Sequence, residues 1–143
     1  MTSYTPPSEK DINQFIDMVS FNADGLASAI AQQHDTKKIL MQAWVNRDSL
    51  YKTLATGQVC YFSRSRQKLW TKGETSGQTQ ELIEARLDCD GDSLLLLVHQ
   101  NGVACHTGRT TCFFNALTPE GIIHTEEPLI SPEKLYGHHP HPK

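Results

Sequence analysis

The chain has 143 residues, 38% of them hydrophobic, which is enough for one domain with a real core and no need of disulfide staples. Thirteen basic residues against sixteen acidic ones leave a formal net charge of −3; this excludes a global attraction for nucleic acid or anionic membrane, so an anionic partner must be met by a local basic cluster. The start, MTSYTPPSEKD, has no apolar signal segment, and no stretch approaches the roughly 18 apolar residues that cross a bilayer, which predicts a soluble, intracellular protein.

Ser8, with Asp11 three residues on, resembles a capping box, and Ile12, Phe15, Ile16 and Val19 share one face of an amphipathic helix predicted over 8–19. LASAIAQ at 26–32 and KILMQAWV at 38–45 read as strands joined by the polar turn QHDTK into a hairpin, although alanines weaken the first. Asn46 is suited to cap a short second helix through Leu50 and Leu54, which Gly57 ends by supplying a backbone conformation costly to other residues. VCYFS at 59–63 is another strand.

The segment SRSRQKLWTKGETSG at 63–77 carries Arg64, Arg66, Lys68 and Lys72 with no acid until Glu74, a positive patch in an acidic chain. Arginine clamps phosphate bidentately and the hydroxyls add donors, so the segment reads as a phosphate-binding loop. The plainer alternative is a solvated basic edge strand. Tyr61, Phe62 and Trp70 would also suit single-stranded nucleic acid, but about fifteen residues offer little surface for tracking a backbone, and a nucleotide-sized ligand fits better.

ELIEARLDC at 81–89 alternates: Leu82, Glu84, Arg86 and Asp88 on one face, Ile83, Ala85, Leu87 and Cys89 on the other. If the strand runs on to Asp90, Cys89 points with the apolar set while Asp88 and Asp90 point away, which puts two metal sites on opposite sides of one strand. Asp90-Gly91 makes a turn, SLLLLVHQ at 93–100 is a central strand, and Asn101-Gly102 signals a hairpin into VACH. On that reading Cys89 and Cys105 meet in space. From Thr118 the tail carries five prolines and ends in HHPHPK, so the chain divides into one domain over 1–117 and a loose or surface-packed extension over 118–143.

The chemistry concentrates in RLDCDGD and ACHTGRTTCF. Cys89, Cys105 and Cys112 are soft donors of the kind zinc prefers, whereas Asp88, Asp90 and Asp92 are hard oxygen donors suited to magnesium or calcium. With Cys60 the cysteines number four, but without a secretory signal reduced thiols are favoured over disulfides. The spacing lacks paired C-x2-C knuckles, so inert buried cysteine is the competing reading, as a solvated turn is for the aspartates. An EF-hand is excluded because Ser93 and His99 stand where its Gly and Glu are required. Three thiolates leave room on zinc for one acidified water, which defines a hydrolase. His106 is then a proton shuttle or a fourth ligand of a closed structural site, and Arg109 a phosphate contact or a salt-bridge partner of an aspartate.

Together SRSR, LWTKGETSG, RLDCDGD and ACHTGRTTCF resemble the phosphoribosyl-AMP cyclohydrolase family of histidine biosynthesis, in the family's order and over about residues 25–114. The resemblance implies an α+β fold in which a mostly antiparallel β-sheet is joined by the N-terminal helix and the short second one, in an intertwined homodimer. It implies a cytoplasmic enzyme that adds water to the adenine ring of N1-(5-phosphoribosyl)-AMP and opens it between N1 and C6. It further implies Zn2+ on Cys89, Cys105 and Cys112, shared across the dimer interface, and Mg2+ on Asp88, Asp90 and Asp92. His106 is the expected proton carrier, Glu74 orients the water or the base or else caps a turn, and Arg64, Arg66, Lys72 and Arg109 compete for substrate phosphate. Family members often carry a fused pyrophosphatase domain; a chain ending at Lys143 is expected to be the single-activity form. The alternatives are a zinc-dependent purine nucleotide deaminase, which would release ammonia, and a structural zinc or nucleic-acid-binding module without turnover.

Overall fold

The computed structural model of the chain describes residues 4–136. Helix α1 (Glu9–Asp17) begins where the Ser8 hydroxyl accepts a hydrogen bond from the Asp11 amide at 3.1 Å, satisfying one of the donors that a helix start leaves over. Ile12, Ile16 and Val19 are buried, so the expected face is the one that packs. The helix stops before Val19 because the chain turns at Met18 and the Ser20 amide crosses to the Gly91 carbonyl at 2.7 Å.

Strands β1 (Ala27–Gln33) and β2 (Ile39–Val45) form the expected antiparallel hairpin. Helix α2 (Arg47–Thr56) has a reciprocal cap: the Asn46 side chain accepts from the Ser49 amide at 2.8 Å, and the Ser49 hydroxyl accepts from the Asn46 amide at 2.9 Å. Gly57 ends it in the left-handed conformation, and Leu50 and Leu54 anchor it to the core. Strands β3 (Cys60–Ser63) and β4 (Lys68–Thr71) make a second antiparallel hairpin. Because β4 lies at the sheet edge, part of the basic segment is the edge strand that was the plainer reading of it.

Strand β5 (Gln80–Leu87) pairs antiparallel with β6 (Ser93–Gln100), and β6 lies parallel to β1, giving the order β4-β3-β2-β1-β6-β5. Every pairing but β1–β6 is antiparallel, as expected of an α+β chain of this pattern. The sheet curls until β5 reaches the residues leading into β3: the Val59 amide donates to the Gln80 carbonyl at 3.1 Å and the Leu82 amide to the Gly57 carbonyl at 2.7 Å. Ala29, Ala31, Leu96 and Val98 are wholly buried in this curl with Ile16, Leu50 and Tyr61.

Two expectations are corrected. The register of β5 slips between Leu82 and Glu84, so Ile83 forms a bulge and is 52% exposed. Gln80 and Leu82 are buried before the bulge; beyond it Ala85 and Leu87 are more covered than Glu84 and Arg86. The strand therefore has no single alternating face over 81–89, and it ends before Asp88. Nor does Asn101-Gly102 open a hairpin: VACH lies in a loop, because the Asn101 amide goes to the Thr79 carbonyl and the Val103 amide to the Gln78 side chain, each at 2.8 Å, instead of to a strand ladder.

Strands β7 (Asn115–Thr118) and β8 (Gly121–His124) form a separate two-stranded sheet, and α3 (Pro132–Tyr136) follows. The segment expected as an extension from 118 thus starts inside a hairpin, and it folds back where the Leu129 amide donates to the Gly108 carbonyl at 2.8 Å. The HHPHPK histidines lie outside the described residues. No helix among the described residues is long and apolar enough to cross a membrane.

Candidate active site

Two loops that leave adjacent ends of the curled sheet build the site. Residues 72–79 join β4 to β5, and residues 101–114 follow β6. They are latched side to side. The Asn101 side-chain amide donates to the Thr79 hydroxyl at 2.8 Å, the Gln100 side-chain amide to the Gln78 carbonyl at 3.2 Å, and Gln78 Oε1 receives the Val103 amide at 2.8 Å. Gly102 passes so close that a Cβ there would lie 1.6 Å from Gln78 Oε1, and its φ of +79° belongs to the left-handed region. Behind the latch Gln80 is fully buried, accepting from the Tyr61 hydroxyl at 2.7 Å and donating to Gln100 Oε1 at 2.9 Å.

Between the loops lies a cavity of about 310 Å³ whose walls include Arg66, Trp70, Lys72, Glu74, His106 and Cys112. Motifs more than thirty residues apart in sequence thus face one space. Glu74 is oriented by the Thr71 amide, which donates to its Oε1 at 2.7 Å, so it caps the turn and lines the cavity at once. Lys72 is only 8% exposed and its ammonium donates to the Ala104 carbonyl at 2.7 Å. Burial lowers the Lys72 pKa, against the opposing pull of Cys112 and Cys105.

Cys105 is buried in a tight turn, with its amide on the Arg109 carbonyl at 3.1 Å and the Thr107 hydroxyl donating to its sulfur at 3.1 Å. Cys112 returns from the far side of the same loop, its amide held by the Leu40 carbonyl at 2.7 Å. Cys112 keeps exposed surface as a residue, yet its sulfur is crowded enough for burial to push the thiol up to about 12, with the charge of Cys105 and a hydrogen bond between the two sulfurs adding to the shift and Lys72 opposing it. Two thiols whose thiolate forms would repel one another in a low-dielectric wall have the donor chemistry of a soft cation site, since a cation would stabilise both as thiolates.

Cys89 does not join them. It stands exposed in the turn before β6, while Cys105 follows the other end of that strand, whose eight residues span about 25 Å. The expected meeting of Cys89 with Cys105 within one chain is therefore corrected: the strand that was to carry the second cysteine back beside the first is a loop at the far end of β6.

Asp88, Asp90 and Asp92 share the Cys89 turn, each exposed, with one oxygen from each inside 4.8 Å of the others. Asp88 accepts the Asp92 and Ser93 amides at 3.0 and 3.2 Å. Desolvation works to raise its pKa, but the bonds from the Ser93 backbone, Asp92 and Asp90 outweigh this and hold it below the usual range. Asp92 is pushed up by its hydrogen bonds to Asp90 and Asp88 and by their charge. A hard divalent cation would relieve that crowding, so the set fits magnesium in donor type.

The remaining basic residues are scattered. The Arg64 guanidinium lies 4.9 Å over the Trp44 ring. Arg109 stacks 3.9 Å over Phe114 and donates through Nε to the Glu126 carbonyl at 2.7 Å, so its partners are an aromatic ring and a backbone oxygen and not the aspartates. Only Arg66 and Lys72 of the expected phosphate contacts line the cavity. Met41 of β2 also lines it; nothing in a strand-forming apolar run distinguishes it from the rest of the core.

Comparison with known proteins adds to this geometry. The model of a family described as phosphoribosyl-AMP cyclohydrolase matches residues 41–114. The chain is 61% identical over 127 residues to the phosphoribosyl-AMP cyclohydrolase of Granulibacter bethesdensis, covering 88% of this chain and 99% of that protein. The protein of the same name from Gluconobacter oxydans is 58% identical over 135 residues, covering 94% and 86%, and that of Rhodospirillum rubrum 60% identical over 127, covering 87% and 89%.

Proposed function

The chain belongs to the phosphoribosyl-AMP cyclohydrolase family, a hydrolase family of histidine biosynthesis, and from that premise we propose that it opens the adenine ring of N1-(5-phosphoribosyl)-AMP through the residues around its 310 Å³ cavity. The observation that carries the reading is the meeting of LWTKGETSG and ACHTGRTTCF in that cavity. Its volume stands at the low end of small-molecule sites, roughly 300–1,000 Å³, and matches a purine better than the whole bis-phosphorylated substrate.

Cys105 and Cys112 would hold Zn2+ with Cys89 of the partner subunit as the third donor, because Cys89 of the same chain is a strand's length away. The exposed turn that brings Cys89 across also brings Asp88, Asp90 and Asp92, which would hold Mg2+ near the substrate phosphates. This is the argument for a homodimer: in a lone chain the thiol pair lacks its third donor, and the aspartate set, complete in itself, sits in the turn at the other end of β6 from the Cys105 loop. When bound, zinc supplies a water acidified toward neutral pKa, and magnesium neutralises phosphate charge.

The chain's own groups do the rest. Water attacks C6 and the N1–C6 bond breaks, with its electron pair leaving on N1. His106, in the cavity wall, takes the proton from the attacking water and returns it to N1. The second proton of the water passes to the exocyclic nitrogen as the C6 carbonyl forms, so that nitrogen stays on C6 as a carboxamide, giving the formimino-carboxamide ribonucleotide. Glu74, held by the Thr71 amide, orients the water or the imidazole. Trp70 offers an aromatic wall for the purine, and Arg66 is the nearest candidate for phosphate. Arg64 and Arg109 reach phosphate only by leaving their aromatic partners.

The test is an ultraviolet assay of phosphoribosyl-AMP opening before chelation, after it, and after zinc return. Turnover that is lost and restored with zinc is the expected result. Ammonia release, or no turnover in folded, zinc-loaded, dimeric protein, would overturn the reading.

A further inference from the structure

We infer that Lys72 is a positioning residue for the thiol pair, fixing the loop that carries Cys105 and setting a positive charge beside Cys105 and Cys112, and is not a substrate-phosphate ligand. The inference rests on the reading of Cys105 and Cys112 as zinc ligands and deepens it.

Three observations converge. Lys72 is nearly enclosed, at 8% exposure, although an ordinary lysine keeps its ammonium in water. Its Nζ donates at 2.7 Å to the carbonyl of Ala104, the residue immediately before Cys105, and a carbonyl held there fixes the plane of the peptide from which Cys105 departs. Its backbone is pinned as well, since the Lys72 amide donates to the Val59 carbonyl at 2.9 Å, so the tether starts from the first residue of the 72–79 loop, where it is still held beside the end of the β3–β4 hairpin. Arg66, on the other hand, is exposed and on the cavity wall, the place where a phosphate contact belongs.

Electrostatics gives the tether a second purpose. Bringing two thiolates into one partly buried site costs repulsion that a single nearby cation offsets. Burial on balance lowers the Lys72 pKa, and Cys112 and Cys105 oppose that shift. A protonated Lys72 beside two thiolates would leave the cluster one net negative charge where the thiolates alone would carry two. Partners of this kind, which orient and tune a metal's ligands without binding it, typically set metal affinity by about tenfold to a hundredfold.

Zinc affinity of the full-length protein, read by competition with a chromophoric chelator, tests this with K72M and K72Q. K72M removes donor and charge; K72Q keeps a donor and removes the charge. Both are expected to bind zinc about ten to a hundred times more weakly than wild type at an unchanged melting temperature. A folded variant of either kind that binds zinc within about threefold of wild type, with a raised KM and an unaltered kcat, would make Lys72 a phosphate ligand and overturn the inference. If neither variant folds, the wild-type chain decides: zinc bound beforehand should slow acylation of Lys72 by a small anhydride about tenfold against metal-free protein, and equal rates would refute the contact. A wild-type chain that takes up no zinc on its cysteines would instead remove the reading of the site itself.

Discussion

Gly102 offers a measurable test of the latch between the two active-site loops, through G102A beside G77A. Gly77 and Gly102 have nearly the same φ, +80° and +79°, but a Cβ on Gly77 meets nothing within 4 Å while one on Gly102 would lie 1.6 Å from Gln78 Oε1. Left-handed backbone costs a residue with a Cβ roughly 1–2 kcal/mol, and both variants share that term. Only in G102A must the Gln78 side chain move, giving up its 2.8 Å bond from the Val103 amide in a partly buried place. An orphaned amide there adds about 1–3 kcal/mol, so G102A should be destabilised by about 2–5 kcal/mol against about 1–2 for G77A. Urea unfolding at matched protein concentration, with m unchanged, reads the difference. G102A should also weaken zinc binding, since Val103 leads into Cys105. Equal destabilisation of the two variants would refute the latch and leave only the shared backbone strain.

N46A, which removes the side-chain acceptor of the α2 cap and leaves the backbone amide of residue 46 on the Ser49 hydroxyl, should cost about 1 kcal/mol in the same unfolding assay. The Glu126 pKa is depressed by the hydrogen bond from Lys38 and then by that from Thr110; the stability of wild type over E126Q should therefore be full above the ordinary glutamate pKa of about 4.3 and fade as pH falls through the lower folded value. Mixing C89A with C112A subunits should rescue turnover in trans: a heterodimer keeps one intact site of two, so random exchange should restore about a quarter of wild-type activity. No rescue on proven exchange would place all three thiolates within one subunit.

Local chemistry made much of this legible. Ser8, Asn46 and Gly57 declare the helix ends because capping is settled within a few residues, and the antiparallel hairpin of β1 and β2 follows from two strand-like runs around a polar turn. What escaped depends on distant partners. The bulge at Ile83 is invisible in a well-alternating run, and Asn101-Gly102 signals a hairpin by every local rule, yet Gln78 and Thr79 claim the amides that a hairpin needs. The thiols and carboxylates of the candidate site could be singled out as candidate donors from their residue types, not from their spacing. That Cys89 stands apart from the other two could not, because it turns on which end of β6 each loop leaves.

The parallel pairing of β1 with β6 bears on how the chain reaches this fold. Ala29 lies opposite Leu94, sixty-five residues later, so the first strand emerges with its hairpin partner at hand and its other edge open until most of the domain has been made. Long-range closures of this kind slow folding, because the entropy of the intervening loop must be lost before any pairing repays it. During that interval β1 presents an apolar, unpaired edge, the feature most prone to misassociation in a nascent sheet. The run LLLLV of β6 is thus the segment on whose arrival the solubility of the growing chain depends.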